Sequence, residues 1–216
     1  CYRAVPIIFK TVIEKNAWRG FPCRMPKALL KDLVTHCDRT LRIDAITDYD
    51  GALNGLQVEN NGKVSRIAAA VDASLATVRM AATQKADLLL VHHGLFWNPQ
   101  QPWVGKKRDL IGTLVETNMA VYSAHLPLDL HPHLGNNIGL CRALKFSKPK
   151  PFFEEHDQHI GLRVNTRLCR DILASRLKTI LGSPPVLLRG GPSVCGKIGI
   201  VTGGAGDGIT KAATEG

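Results

Sequence analysis

No apolar run in this 216-residue chain approaches the roughly 18 residues that a membrane-spanning helix requires, so a helical membrane span is excluded. The cysteines (Cys1, Cys23, Cys37, Cys141, Cys169, Cys195) include no C-x-x-C pair. That excludes a zinc knuckle and a dithiol redox motif, and it points to free thiols in a reducing compartment, the cytoplasm. Internal repeats and low-complexity tracts are absent, which excludes a repeat architecture. Acid is in short supply, with 18 Asp and Glu against 28 Lys and Arg, for a net charge of +10. Such an excess raises nucleic-acid binding as a possibility. The bases are nevertheless spread out, with local clusters only at Lys106-Lys-Arg108 and Lys148-Pro-Lys150, and these read as solvated faces or, alternatively, as a binding patch for anionic partners.

What is present is ordinary globular composition, 44% hydrophobic and 21% charged, in a length that suits one large or two small domains. Residues 1–24 differ from the rest: they carry Arg3, Lys10, Lys15, Arg19 and Arg24 against Glu14 alone, with little periodicity. They are expected to be a leader or a non-native extension, with Met25 as the natural start and a mitochondrial-type leader as the rival reading. From Met25 the spacing of Leu29, Leu30, Leu33 and Val34 is helical, with Pro26 suited to a first turn.

The middle of the chain alternates. Strands are expected at 66–71, 88–91 and 120–124, with helices between them, one capped at Asp72-Ala-Ser74 and one over 108–118. Strand–helix–strand alternation implies right-handed crossovers and a largely parallel sheet. Each strand runs into polar residues: Asp72, then His92 and His93, then His125, with Asp129 four residues further on. The carboxyl edge of such a sheet is where ligands bind. Two imidazoles and a carboxylate there are ordinary ligands for a divalent metal, and the alternative is that His92 and His93 hydrogen-bond loop backbone. His125 is read as a ligand, an orienting partner of Asp129, or a proton shuttle. Successive strand residues point to opposite faces, so His92 and His93 are expected to converge only if the backbone turns, notably at Gly94.

A break is expected at Ser147-Lys-Pro-Lys-Pro151, giving lobes over 25–146 and 151–216. In the second, the pattern predicts a strand from His159 to Val164, a helix capped by Asn165 or Thr166 and ended at Gly182, and strands at 186–188 and 197–201. The Gly203–Gly208 turn is a structural turn or an anion cradle. Trp97 and Trp103 are loop packing, a lid or an interface ridge.

Asn54-Gly-Leu-Gln-Val58, Val91-His-His-Gly-Leu-Phe-Trp97, His125-Leu-Pro-Leu-Asp129 and His131-Pro-His-Leu-Gly-Asn-Asn137, in this order, resemble the GTP cyclohydrolase I type 2 homologues, the Nif-three-like dinuclear-metal proteins, over about residues 25–216. The resemblance implies a two-lobed α/β subunit with mixed and parallel sheets and helices on both faces. It also implies a ring-shaped hexamer and two divalent ions (Fe, Zn, Mn or Ni) held in a cleft. His92, His93 and Asp129 match three of the family's ligands, and His125 matches a residue beside them. The family's remaining histidine and glutamate ligands would fall beyond Gly216. The resemblance therefore implies a sequence that stops inside its last third and binds metal weakly, with fewer than two ions per chain. The expected activity is that of a metal-dependent hydrolase of a nucleotide-like substrate, with His125 handling protons. The alternative is a non-enzymatic metal-binding or nucleic-acid-associated scaffold.

Overall fold

The structure, a computed structural model, describes residues 27–97 and 99–215. The leader expected over 1–24 and the start expected at Met25 lie outside the described residues. The chain is a mixed α/β protein whose contacts divide it into two compact units, one ending at Pro127 and one beginning at Leu128. The division falls earlier than the 147–151 break suggested by the proline and lysine pattern.

In the first unit the order is β1 (Ala28–Leu29), α1 (Leu30–Leu41), β2 (Gly55–Val58), β3 (Lys63–Val64), β4 (Ile67–Asp72), α2 (Leu75–Thr83), β5 (Leu88–His93), α3 (Lys106–Glu116) and β6 (Ala120–Ser123). Strands β4, β5 and β6 are parallel, and β2 closes the other side antiparallel to β6, giving the order β2-β6-β5-β4. The expected alternation is thus realised. Val78 and Ala81 of α2 and Leu110 and Leu114 of α3 pack with Leu89, Val91 and Val121 in one buried cluster. Tyr122, the neighbour of Val121, points to the opposite face, where its hydroxyl meets Asp38 of α1. Helices therefore cover both faces of this sheet.

Local chemistry explains the boundaries. Ser74 and Thr77 form a reciprocal capping box that starts α2. The first helix begins at Leu30 rather than nearer Met25, because Ala28 and Leu29 pair with Val64 and Lys63. The strand expected at 66–71 forms as β4, at the edge of its sheet, where Ile67 and Val71 remain exposed.

The second unit carries α5 (Asn136–Ala143), a three-stranded antiparallel sheet β7 (Lys150–Glu155), β8 (Gln158–Cys169) and β9 (Val194–Ile200), with α6 (Arg170–Leu181) between β8 and β9, and a last helix α7 (Ile209–Thr214). A single helical turn, α4 (Leu126–Asp129), bridges the boundary along the chain. Cys141 and Leu144 near α5, Leu173 and Leu177 of α6, and Ile198 and Ile200 of β9 share one core.

Two expectations fail here, and a third holds only in part. The 147–151 break is partly strand, because Lys150 and Pro151 pair with Arg163 and Leu162. Asn165 and Thr166 do not cap a helix: β8 continues past an irregularity to Cys169, held by pairing with β9, and α6 starts at Arg170. No strand forms at 186–188, where Val186 and Leu188 are solvent-exposed. The expected stop at Gly182 holds, in a left-handed conformation (φ 74°) with its N–H donating to the Lys178 carbonyl.

Candidate metal centre

Parallel pairing brings the carboxyl ends of β4, β5 and β6 to one edge of the first sheet. The β5–β6 ladder ends at Val91–Ser123, whereas the β4–β5 ladder runs on to Asp72–His93. His92 and His93 thus lie past their last β6 partner, where the backbone is released from strict alternation. His92, His93 and His125 each offer a donor atom, all within 4.8 Å of one another, a group that could hold a metal ion. Ring centroids are 4.6 Å apart for His92–His93, 4.9 Å for His92–His125 and 5.6 Å for His93–His125. For comparison, imidazole nitrogens bind zinc at about 2.0–2.1 Å.

Each imidazole is tied through Nδ1. His92 Nδ1 meets the Ala124 carbonyl at 3.0 Å, His93 Nδ1 meets Asp72 Oδ1 at 2.7 Å, and His125 Nδ1 meets Asp48 Oδ1 at 2.8 Å. A carbonyl or a carboxylate oxygen accepts, so each Nδ1 carries the hydrogen, and in the neutral ring the lone pair sits on Nε2. That is how metal-binding histidines are oriented in proteins. The donor set fits a borderline-soft divalent ion.

The two carboxylates differ. The Asp72 and His93 side chains are half exposed, whereas the Asp48 side chain retains 5% of its exposure and that of His125 13%. Burial pushes the Asp48 carboxyl up. Hydrogen bonds from His125, Asn54 and the Tyr49 N–H outweigh burial and hold it below the ordinary carboxylate range.

Asn54 and Gln57 bracket this edge. Asn54 donates to Asp48 Oδ2 and accepts the His125 N–H at 2.7 Å. Gln57 Oε1 accepts the Leu95 N–H at 2.7 Å, and its amide packs so closely on Gly94 that a Cβ there would overlap it. A side chain at position 94 would therefore have to displace the Gln57 amide from the Leu95 N–H. Aromatic rings border the cluster: Trp97 stands edge-on to His125, with centroids 4.9 Å apart, and Tyr49 lies 6.0 Å from the same imidazole.

Asp129 belongs to the second unit, where it is buried and its Oδ1 accepts from Asn136 Nδ2 at 2.5 Å. The structure thus brings together His92, His93 and His125. His131 has a turn role, its Nδ1 accepting the N–H groups of His133 and Leu134. At the Gly203–Gly208 turn, Gly208 lies so close to the Phe153 ring that a Cβ would collide with it, and ring packing accounts for that glycine. Trp103 packs on Phe96 under the Lys107 ammonium. Sequence reasoning did not single out Asp48. It lies in a polar loop, and only the Asn54-to-Val58 motif close by hinted at the site.

Fold and site together define a class of α/β proteins with an imidazole cluster at the carboxyl edge of a parallel sheet. The profile of the family Duf34/NIF3 (NGG1p interacting factor 3) matches residues 28–216, and the chain belongs to that family. It is 37% identical over 189 residues to the GTP cyclohydrolase 1 type 2 homolog of Deinococcus radiodurans, covering 86% of this chain and 70% of that one. It is 38% identical over 178 residues to the protein of the same name from Neisseria meningitidis serogroup B, covering 82% and 70%. Among solved structures it is similar to the protein ybgI, described as of unknown function (TM-score 0.80, 34% identity, 88% of this chain and 75% of that one). It is also similar to TTHA1606 from Thermus thermophilus (TM-score 0.76, 35% identity, 85% and 74%).

Proposed function

We propose that this protein is a metal-dependent hydrolase acting on a nucleotide-like or heterocyclic substrate. In this reading His92 and His93 hold divalent metal together with Asp129, in a centre of two ions, and His125 handles protons. The observation that carries it is the convergence of three imidazoles, each with Nδ1 committed to an acceptor. A divalent ion in such a site would polarise water and a substrate oxygen. His125 Nε2 then accepts the proton of the attacking water and returns it to the leaving group. Trp97 and Tyr49 offer flat apolar surface beside the cluster for a heterocyclic ring. The names of the curated relatives support a substrate of this kind.

The same reading places the protein in the cytoplasm, to which the free thiols Cys37, Cys141, Cys169 and Cys195 are suited. It also assembles it as a hexameric ring. No helix among the described residues is long and apolar enough to cross a membrane.

The test is turnover of a panel of nucleotides and cyclic or heterocyclic amides by metal-loaded and chelator-treated protein. Metal-dependent hydrolysis that is lost in His92→Ala and Asp129→Ala, with assembly kept, is the expected result. The competing reading is a non-enzymatic scaffold, and the observation favouring it is the run of Lys106, Lys107 and Arg108 in the first turn of α3, where cations oppose the helix dipole. A scaffold would keep partner binding in the histidine variants and lose it steeply with salt.

A further inference from the structure

We infer that Asp48 is a positioning residue, which with Asn54 locks the His125 imidazole in the one orientation and tautomer that presents a lone pair on Nε2. The inference takes the proposed hydrolase, with His125 as its proton carrier, as its setting. It stands on the hydrogen-bond pattern around one buried side chain.

Asp48 Oδ1 accepts from the Tyr49 N–H and His125 Nδ1, both at 2.8 Å, and Oδ2 accepts from Asn54 Nδ2 at 2.8 Å and the Leu126 N–H at 3.0 Å. Two of these partners are backbone N–H groups, which can only donate. The Asn54 amide is fixed too: its Oδ1 takes the His125 N–H, so its NH₂ must face Asp48. Every group around the carboxylate is therefore a donor, and both oxygens are needed as acceptors. An amide in place of the carboxylate would turn an NH₂ towards two donors whichever way it was placed. Only an aspartate satisfies the cage, and a buried aspartate of this kind requires a hydrogen on His125 Nδ1.

The His125 backbone is tied by the same network. Its N–H goes to Asn54, and the N–H of the next residue, Leu126, goes to Asp48. Main chain and ring are thus held from one side by the loop carrying Asp48 and Asn54. The neighbouring pair is different in kind. Asp72 and His93 are half exposed and joined by a single contact, which water can replace. The burial of Asp48 sets His125 apart from His93, whose carboxylate partner is half exposed. In the proton step, His125 Nε2 takes a proton from the attacking water while Nδ1–H stays with Asp48. The ring becomes a cation beside a buried anion, and the proton leaves from the same Nε2 to the departing group.

The test reads the tautomer directly. Metal-free protein with ¹⁵N-labelled histidine is examined by long-range ¹H–¹⁵N correlation, and the His125 signals are identified by their loss in His125→Gln. The expected result is Nδ1–H with an unprotonated Nε2 in the native protein, and loss of that pattern in Asp48→Asn. Nε2–H in the native protein overturns the inference, as does an Asp48→Asn variant of native circular dichroism with the tautomer unchanged. Should Asp48→Asn fail to fold, the native spectrum decides alone. With turnover in hand, Asp48→Asn should lower kcat by about 10²–10⁴-fold at unchanged metal content. An absence of turnover in the native protein refutes the hydrolase reading, while the tautomer still reports on Asp48.

Discussion

Asp72 and His93 are partners on the last rung of the β4–β5 ladder, and that rung carries a 2.7 Å contact between Asp72 Oδ1 and His93 Nδ1. The pair sits half in solvent, so its contribution to folding is small, within about 1 kcal/mol. Its effect on metal should be larger, because the carboxylate fixes which nitrogen of His93 bears the lone pair. Asp72→Ala is expected to weaken divalent-metal affinity by about 10–100-fold with little change in Tm. Competition against a chromogenic chelator measures it, and unchanged affinity would remove Asp72 from the site.

Gly94 should not tolerate a methyl group. Alanine there would drive the Gln57 amide off the Leu95 N–H. Gly94→Ala is expected to cost about 1–3 kcal/mol by urea denaturation. Trimming Gln57 to alanine in the same chain should return part of that loss, a coupling that a double-mutant cycle detects. Strict additivity of the two changes would show that the clash is relieved elsewhere.

Tyr122 is buried at 2% exposure under the sheet, with its hydroxyl 2.8 Å from Asp38 Oδ1. Burial first, and then the Asp38 carboxylate, raise the phenol well above its ordinary value of 10.0. Tyr122→Phe should destabilise the protein by about 1–2 kcal/mol by leaving that carboxylate short of a donor. In an absorbance titration of the folded protein, the variant should lose no tyrosinate signal near pH 10, because Tyr122 does not ionise there in the native chain.

Asp87 gives a pH dependence whose sign is fixed. Partial burial pushes its carboxyl up. Hydrogen bonds from the Ser65 hydroxyl and N–H and from the Arg66 N–H, with the charge of Lys27, bring it below the ordinary 3.8. A carboxyl lowered by folding adds stability that is complete above its unfolded value and is lost as pH falls through the folded one. The stability gap between the native protein and Asp87→Ala should therefore narrow as pH drops below 3.8. Urea midpoints from about pH 5 downwards measure it. A gap independent of pH would contradict the assignment.

Strand β5 was legible over 88–91, where a short apolar run bounded by polar residues suits a covered strand, and the three polar strand ends pointed to the edge where the imidazoles gather. What the sequence could not convey was the span of contacts. Asp48 reaches His125 across a loop with no periodicity, and nothing in Asp48-Tyr-Asp-Gly51 separates a buried hydrogen-bonded acid from a solvated one. Strict strand alternation argued against a His92–His93 pair, whereas unequal ladder lengths on the two sides of β5 allow it. In the second unit, β8 runs through Asn165 and Thr166, residues whose side chains suit a helix cap. Pairing with β9 overrides that local preference.

The central claim is that imidazoles of the first unit hold the metal. X-ray absorption of protein loaded with zinc and freed of excess by dialysis tests it most directly. The account predicts a first shell with at least two imidazole nitrogens at about 2.0–2.1 Å, lost in the His92→Ala, His93→Ala double variant. A shell made only of oxygen, or one unchanged in that variant, would contradict it.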